Sequence, residues 1–257
     1  MRPRTRDERV EVGQQSAAGR ARGHLFVGTS GFAYRDWAPR FYPAGLPDRD
    51  LLRAYATRLP ACELNNTFYR NPSESAIAGW LASTPESFRF AVKAQRGGSL
   101  RALAVDPTVS VPWLTAPLRH FGDRLGTVLF RVPVDIERDD ARLAALLSVW
   151  PSDLRLTVEF QHPSWHVDET FAALAGIGAV LCATDLDELD GPPTIRRTGD
   201  FLYLRLRRTG YDRSELTDWA ARLEPFLAAG DDAFVFFRHD ADGTSALRAM
   251  ELAAQLR

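Results

Sequence analysis

Glu63, Lys93, Arg131, Glu159 and Arg205 each lie at or beside the C-terminal end of a short β-rich run, and each is bracketed by residues of the opposite character. In Leu156-Thr157-Val158-Glu159-Phe160 the aliphatic and aromatic set is Leu156, Val158 and Phe160, so the alternation of strand side chains puts Glu159 on the other face. The same parity separates Leu202, Leu204 and Leu206 from Tyr203 and Arg205. It separates Phe90 and Val92 from Lys93, Val128 and Phe130 from Arg131, and Cys62 and Leu64 from Glu63 and Asn65. Two carboxylates, one amine and two guanidiniums on one face form a set able to do acid/base or covalent chemistry through Lys93, Glu159 and Glu63. Arg131 and Arg205 would then clamp an anion. Burying such charges is costly unless they pair or meet a ligand, and two acids with three bases leave one positive charge over. An ion-pair layer with a structural role is the competing reading.

Polar and aromatic residues follow the same runs. Tyr34 comes after the first, Tyr69 after the second, Gln161, His162 and Trp165 after the fifth, Asp185 after the sixth and His239 after the eighth. These are candidate substrate contacts, with His162 a candidate acid or base and Tyr69 and Trp165 candidate pocket walls. Glu63, Glu159, Asp185 and His239 have the ligand types of a metal-dependent sugar isomerase, but no HxH or HExxH spacing supports a cation and the cationic neighbours oppose one. No metal is expected. Lysine is also singular in this chain: of its 32 basic residues only Lys93 is not arginine. Arginine keeps its proton near neutral pH, whereas a desolvated lysine beside other cations can lose it and become a base or a nucleophile.

The elements that must position these groups alternate along the chain. Strand-like runs at His24–Gly28, Ala61–Asn65, Phe88–Lys93, Thr127–Arg131, Leu154–Phe160, Ala179–Ala183, Phe201–Leu206 and Ala233–Arg238 are separated by segments of helical period. Leu143, Leu146, Leu147 and Trp150 after Asp139, and Leu216, Trp219, Leu223 and Leu227 after Ser214, are examples of the helical stripes. Pro107, Pro112 and Pro117 leave Leu100–Phe121 undecided between helix and loop, and Leu186–Gly199 reads as loop. Eight strands crossed over by helices predict a single-domain (β/α)8 barrel of the TIM type with irregular crossovers, a fold whose sites gather at the C-terminal strand ends. A doubly wound sheet is disfavoured because Gly28-Thr29-Ser30-Gly31 is not the GxGxxG turn that holds a dinucleotide, and no cofactor is expected.

Composition sets the outer bounds. The 257 residues are 45% hydrophobic and 25% charged, with net charge −1, an ordinary globular balance without the basic field of a nucleic-acid binder. No apolar run is long enough for a membrane span, the N-terminus lacks a secretory signal, and Cys62 and Cys182 have no metal or disulfide spacing, so a cytoplasmic protein is expected. Residues 1–22 carry six arginines and almost no large apolar side chains, and are read as a disordered basic tail before the barrel at 23–257.

Several stretches resemble the YecE-like proteins, domain-of-unknown-function family 72. They are Val27-Gly28-Thr29-Ser30-Gly31 with Tyr34, Trp37 and Phe41-Tyr42-Pro43; Glu63-Leu64-Asn65-Asn66-Thr67-Phe68-Tyr69; Phe90-Ala91-Val92-Lys93; and Glu159-Phe160-Gln161-His162-Pro163-Ser164-Trp165. The resemblance implies a (β/α)8 barrel and carries no assigned reaction. It also exposes departures: members usually read LFQLP and EFRHPSW where this chain has Leu129-Phe130-Arg131-Val132-Pro133 and Glu159-Phe160-Gln161, so Arg and Gln are exchanged between neighbouring strands. A histidine usual after the strand-three lysine is replaced near Gln95–Ser99, Arg207 stands where histidine is usual, and Phe237-Arg238-His239-Asp240 replaces an asparagine-rich ending. The expected function is that of an enzyme acting on a small anionic or polyhydroxylated molecule at the barrel mouth. A non-catalytic ligand-sensing or partner-binding barrel and a metal-dependent isomerase or phosphodiesterase are the alternatives.

Overall fold

In the computed structural model, which describes residues 21–256, eight parallel strands pair in sequence order and close on themselves. They are β1 (Leu25–Ser30), β2 (Ala61–Leu64), β3 (Arg89–Lys93), β4 (Leu125–Val132), β5 (Leu156–Phe160), β6 (Val180–Asp185), β7 (Phe201–Leu206) and β8 (Asp232–Phe237). The crossovers are α1 (Leu51–Ala56), α2 (Glu74–Ala82), the pair α3 (Arg96–Ala104) and α4 (Pro107–Thr115), α5 (Asp140–Ser148), α6 (Asp168–Ala175) and α7 (Arg213–Ala228). The last helix, α8 (Thr244–Gln255), follows β8. The expected (β/α)8 barrel is therefore the observed fold, and β6 joins β7 through a loop without a helix, as the sequence reads. Among the described residues no helix is long and apolar enough to cross a membrane.

Strand parity divides the interior as the alternation requires. Ala61, Ala91, Leu129, Val180, Cys182, Phe201, Tyr203, Phe234 and Phe236 form one buried cluster inside the barrel. Cys62, Leu64, Val92, Val128, Phe130, Val158, Leu202, Leu204 and Leu206 belong to the larger core under the helices. Toward its lower end the barrel is plugged by rings: Phe26 stacks on Phe234, with centroids 4.8 Å apart, and Phe234 meets Phe201 edge-on at 5.6 Å. Gly126 makes room for this plug, since a Cβ there would lie 2.5 Å from the Phe234 ring. The buried charges of the interior, Glu63, Glu159 and Arg205, lie on the side of the C-terminal strand ends from this floor.

The proline-rich stretch left undecided by sequence folds as helix. Pro107 takes the first position of α4, where no backbone donor is needed, and Asp106 caps it by accepting the Thr108 and Val109 N–H groups. Pro112 lies inside α4, and Pro117 falls in the first turn of the 3-10 segment Ala116–Arg124. α7 begins ahead of the Ser214 that precedes its apolar stripe, with Asp212 as its cap in a reciprocal capping box with Glu215. Residues 1–20 lie outside the described residues, so the reading of that tail is untouched, but Arg22 is docked through two hydrogen bonds to Glu224, 2.6 and 2.7 Å long.

Candidate active site

The end of the barrel above the aromatic floor holds an ordered lattice of charge. β1 and β2 place Ser30 beside Glu63, β4 and β5 place Arg131 beside Glu159, and β6 and β7 place Thr184 beside Arg205. Arg205 spans the barrel between the two carboxylates: Nη1 donates to Glu159 Oε1 and Oε2 at 2.9 and 2.8 Å, and Nη2 donates to Glu63 Oε1 at 2.8 Å. Tyr203 donates to Glu63 Oε2 at 2.7 Å, Ser30 to Glu63 Oε1 at 2.8 Å, and Thr184 to Glu159 Oε1 at 3.0 Å. All three charged groups are buried.

Their protonation follows from these contacts. Burial alone would raise Glu63, but Arg205, the Tyr203 hydroxyl and the charge of Lys93 outweigh it and hold the carboxyl below its ordinary value. Glu159 is likewise lowered, burial being overcome by Arg205 and then Arg131. Arg205 is raised, because the two carboxylates outweigh its own desolvation. Both glutamates are thus fixed as anions whose oxygens are already occupied. This revises their expected part as acid/base groups: they hold Arg205 and shape the field of the mouth.

Lys93 is different. Its parity brings the side chain into the barrel end at 8% exposure, yet Nζ lies over the Phe68 ring, 4.1 Å from the centroid, and enters none of the ion pairs among the described residues. Burial, together with Arg205 and Arg131, brings its pKa down to about 8 against the opposing pull of Glu63 and Glu159. Lys93 is therefore the group of the lattice whose proton is most readily released near neutral pH.

Two more cations stand at the rim. Arg131 is partly exposed, its Nη2 donates to Gln161 Oε1 at 2.7 Å, and its Nε is 3.5 Å from Glu159 Oε2, beyond hydrogen-bonding geometry. Arg207, the residue after β7, is close enough to Arg205, Glu63 and Glu159 to feel their charges and enters no ion pair among the described residues; burial and the nearby Arg205 lower its pKa. Sequence reasoning noted Arg207 only as a departure from a motif, because it follows the last residue of β7, where alternation gives no signal. Phe68 was missed because its neighbourhood to Lys93 depends on the 3-10 turn Asn66–Phe68.

The remaining expected contacts divide. Tyr34 donates to the Ser30 carbonyl at 3.0 Å, burial raises its pKa to about 12, and His239 stacks on it with centroids 5.0 Å apart at the rim. Asn65 is half-buried at the end of β2 and opens the turn that carries Phe68. Gln161 joins the lattice through Arg131. The other four have surroundings of their own. Tyr69 is 82% exposed. Trp165 is buried in the outer core, stacked on Phe160 at 4.5 Å with its Nε1 donating to the Ile136 carbonyl. Asp185 belongs to β6 itself and, by parity, points away from the barrel axis, where it accepts from Tyr211 at 2.9 Å. His162 caps its own turn, its Nδ1 accepting the Ser164 N–H at 3.2 Å. Tyr69, His162 and Trp165 lie beyond their strands, where the alternation no longer holds, whereas Asp185 belongs to β6 and its alternation puts it on the outer face. Consequently Glu63, Glu159, Asp185 and His239 do not converge, and among the described residues no group of three or more His, Cys, Asp or Glu side chains could hold a metal ion.

Beside Glu159 a cavity of about 580 Å³ runs between α6, the ends of β5 and β6 and the loop that replaces the missing helix; Gln161, Thr184 and Arg196 are among its lining residues.

A closed parallel barrel with an interior charge lattice at its C-terminal strand ends defines a (β/α)8 protein with a polar mouth. Within that class the chain belongs to the family described as protein of unknown function DUF72, whose model matches residues 26–257. It is 23% identical over 260 residues to UPF0759 protein YunF of Bacillus subtilis (strain 168), covering 86% of this chain and 91% of that protein. Among solved structures, a DUF72 family protein from Thermotoga maritima MSB8 superposes with a TM-score of 0.80 at 26% identity, over 91% of this chain and 99% of that one. A DUF72 family protein from Enterococcus faecalis V583 has a TM-score of 0.72 at 19% identity, over 90% and 95% of the two chains, and shares the fold.

Proposed function

We propose that the barrel mouth binds a small anionic molecule and transforms it, with Lys93 as the reacting group and Arg131 and Arg207 as the anion clamp. The observation that carries this reading is the buried, ion-pair-free ammonium of Lys93 beside a lattice in which Glu63 and Glu159 are both bound by Arg205. Arg205 pairs with two carboxylates at once and cancels one of their two charges. Lys93, Arg131 and Arg207 then bring more positive charge than the lattice cancels, and an anion would balance it. The Glu63–Arg205–Glu159 bridge is a rigid support, held on both sides by hydroxyl donors, that fixes the field without moving during a reaction.

The full occupation of both glutamates favours a second reading, a ligand-sensing barrel that binds the same anion without changing it. The two separate on one experiment. Purified protein is incubated with a mixture of phosphorylated and carboxylated metabolites, and their loss is followed by mass spectrometry beside a Lys93→Arg control. Depletion of a compound by the wild type alone supports the enzyme. Binding of an anion that is never consumed supports the sensor, and the absence of any binding overturns both.

A further inference from the structure

Resting on the anion-site reading, we infer that Lys93 forms an imine with a short-chain aldehyde or ketone that carries a phosphate or carboxylate group. The argument is geometric first. Lys93 is the one lysine of the chain, and it lies inside the barrel end over an aromatic face, where its amine has no carboxylate partner among the described residues. The cations that act on it, Arg131 and Arg205, and the further cation of the mouth, Arg207, are arginine, which cannot act as a nucleophile near neutral pH. A site that needed only positive charge would be served by arginine here as well. A site that needs an amine able to lose its proton and attack a carbonyl carbon requires lysine.

The surroundings favour the step in three ways. Burial and the Arg205 and Arg131 charges bring the amine into the range where a substantial fraction is neutral at physiological pH. Glu63 and Glu159 are held by Arg205, so neither traps the ammonium in a close ion pair. Arg131 and Arg207 supply charge for the anionic end of a short molecule whose carbonyl would sit at Nζ. The step balances without an added reagent. One ammonium proton is first released; the amine nitrogen then attacks the carbonyl carbon, and the π pair moves to oxygen, which takes up a proton. Loss of that oxygen as water, with the second amine hydrogen, leaves a protonated C=N bond. Ammonium plus carbonyl thus gives iminium plus water, and the single positive charge over the Phe68 ring is retained.

The experiment uses the full chain, free of lysine-containing tags, with dihydroxyacetone phosphate as the phosphate probe and pyruvate as the carboxylate probe. Sodium borohydride is added and the intact mass is read, followed by peptide mapping. A borohydride-dependent gain equal to the probe less one oxygen atom, mapped to Lys93 and absent from Lys93→Arg, is expected with one or both probes, and which probe reacts identifies the anionic group. Arg207→Gln, with its melting temperature measured to show that it folds, should label about tenfold less at limiting probe, the loss of one charge-assisted contact. Glycerol 3-phosphate and lactate, which lack the carbonyl, should raise the melting temperature without labelling. If those analogues stabilise the protein but no probe labels Lys93, or label falls only on the N-terminal amine, the imine is refuted while the anion site stands. If neither analogue nor probe stabilises or labels the protein, the anion site falls too and takes the imine with it.

Discussion

Replacing Lys93 with methionine should stabilise the protein at neutral pH. The two side chains are unbranched and of similar length, so the substitution removes the charge while nearly conserving volume. The groups facing Nζ are Phe68 after β2, Glu63 on β2, Arg131 on β4, Glu159 on β5 and Arg205 on β7. Their sum lowers the lysine from 10.5 to about 8, because desolvation and the two guanidiniums outweigh the two carboxylates. At about 1.4 kcal/mol per tenfold step, that fall means the folded state disfavours the charged amine by about 3 kcal/mol. Methionine removes that cost and gains some apolar burial, but it also takes away the field that Lys93 exerts on Glu63, so a net gain of about 1–3 kcal/mol is expected. For a chain of this size that is about 3–10 °C in melting temperature.

The sign of the pH dependence provides a stricter check. Because the folded value lies below the unfolded one, the folded protein binds fewer protons between about pH 8 and pH 10.5, and wild-type stability rises with pH across that window. The advantage of Lys93→Met is therefore full below about pH 8 and shrinks toward zero by about pH 10.5. Urea unfolding of both proteins at pH 7 and at pH 10, analysed as the difference between them, isolates this group from the tyrosines common to both. A variant less stable than the wild type at pH 7, or one whose gain is the same at both pH values, would refute the reasoning.

Three further outcomes test the lattice. Arg205→Met should lose about 3–5 kcal/mol in chemical unfolding because two buried carboxylates lose their counter-ion, and adding Glu63→Gln with Glu159→Gln should recover much of it; an equal loss in the triple variant would contradict this account. Arg131→Gln should weaken anion binding and adding Gln161→Arg should restore part of it, with a coupling of about 0.5–3 kcal/mol in a double-mutant cycle of binding constants; strictly additive effects would dismiss the pair. Asp185 is raised above the ordinary carboxyl value by burial, chiefly against the hydrogen bond from Tyr211. The stability linked to its protonation is present at low pH and lost as pH rises through the folded value, so Asp185→Asn should flatten the acid-side stability profile above about pH 4. Parallel profiles of variant and wild type would argue against it.

Interior charge was legible from the strands alone because strand alternation is strictly periodic. Once Leu202, Leu204 and Leu206 must face the helices, Tyr203 and Arg205 have nowhere to go but inward. The same rule located Glu63, Lys93, Arg131 and Glu159, and the repeated strand-to-helix alternation sufficed for the barrel. The Arg131–Gln161 contact was reached by a different route, from the neighbouring strands and the exchange of Arg and Gln that the family resemblance exposed. Beyond the last strand residue that period ends. Trp165 turned under Phe160, His162 capped its own turn and Tyr69 went to solvent, each following local turn geometry and available packing, while Asp185 was misplaced because β6 runs through it and its alternation faces outward. Three-dimensional closure also chose the partners. That Arg205 would take both glutamates and leave Lys93 without one depends on which side chains reach across the barrel axis, and strands β2, β3, β5 and β7 meet there only after the sheet has closed.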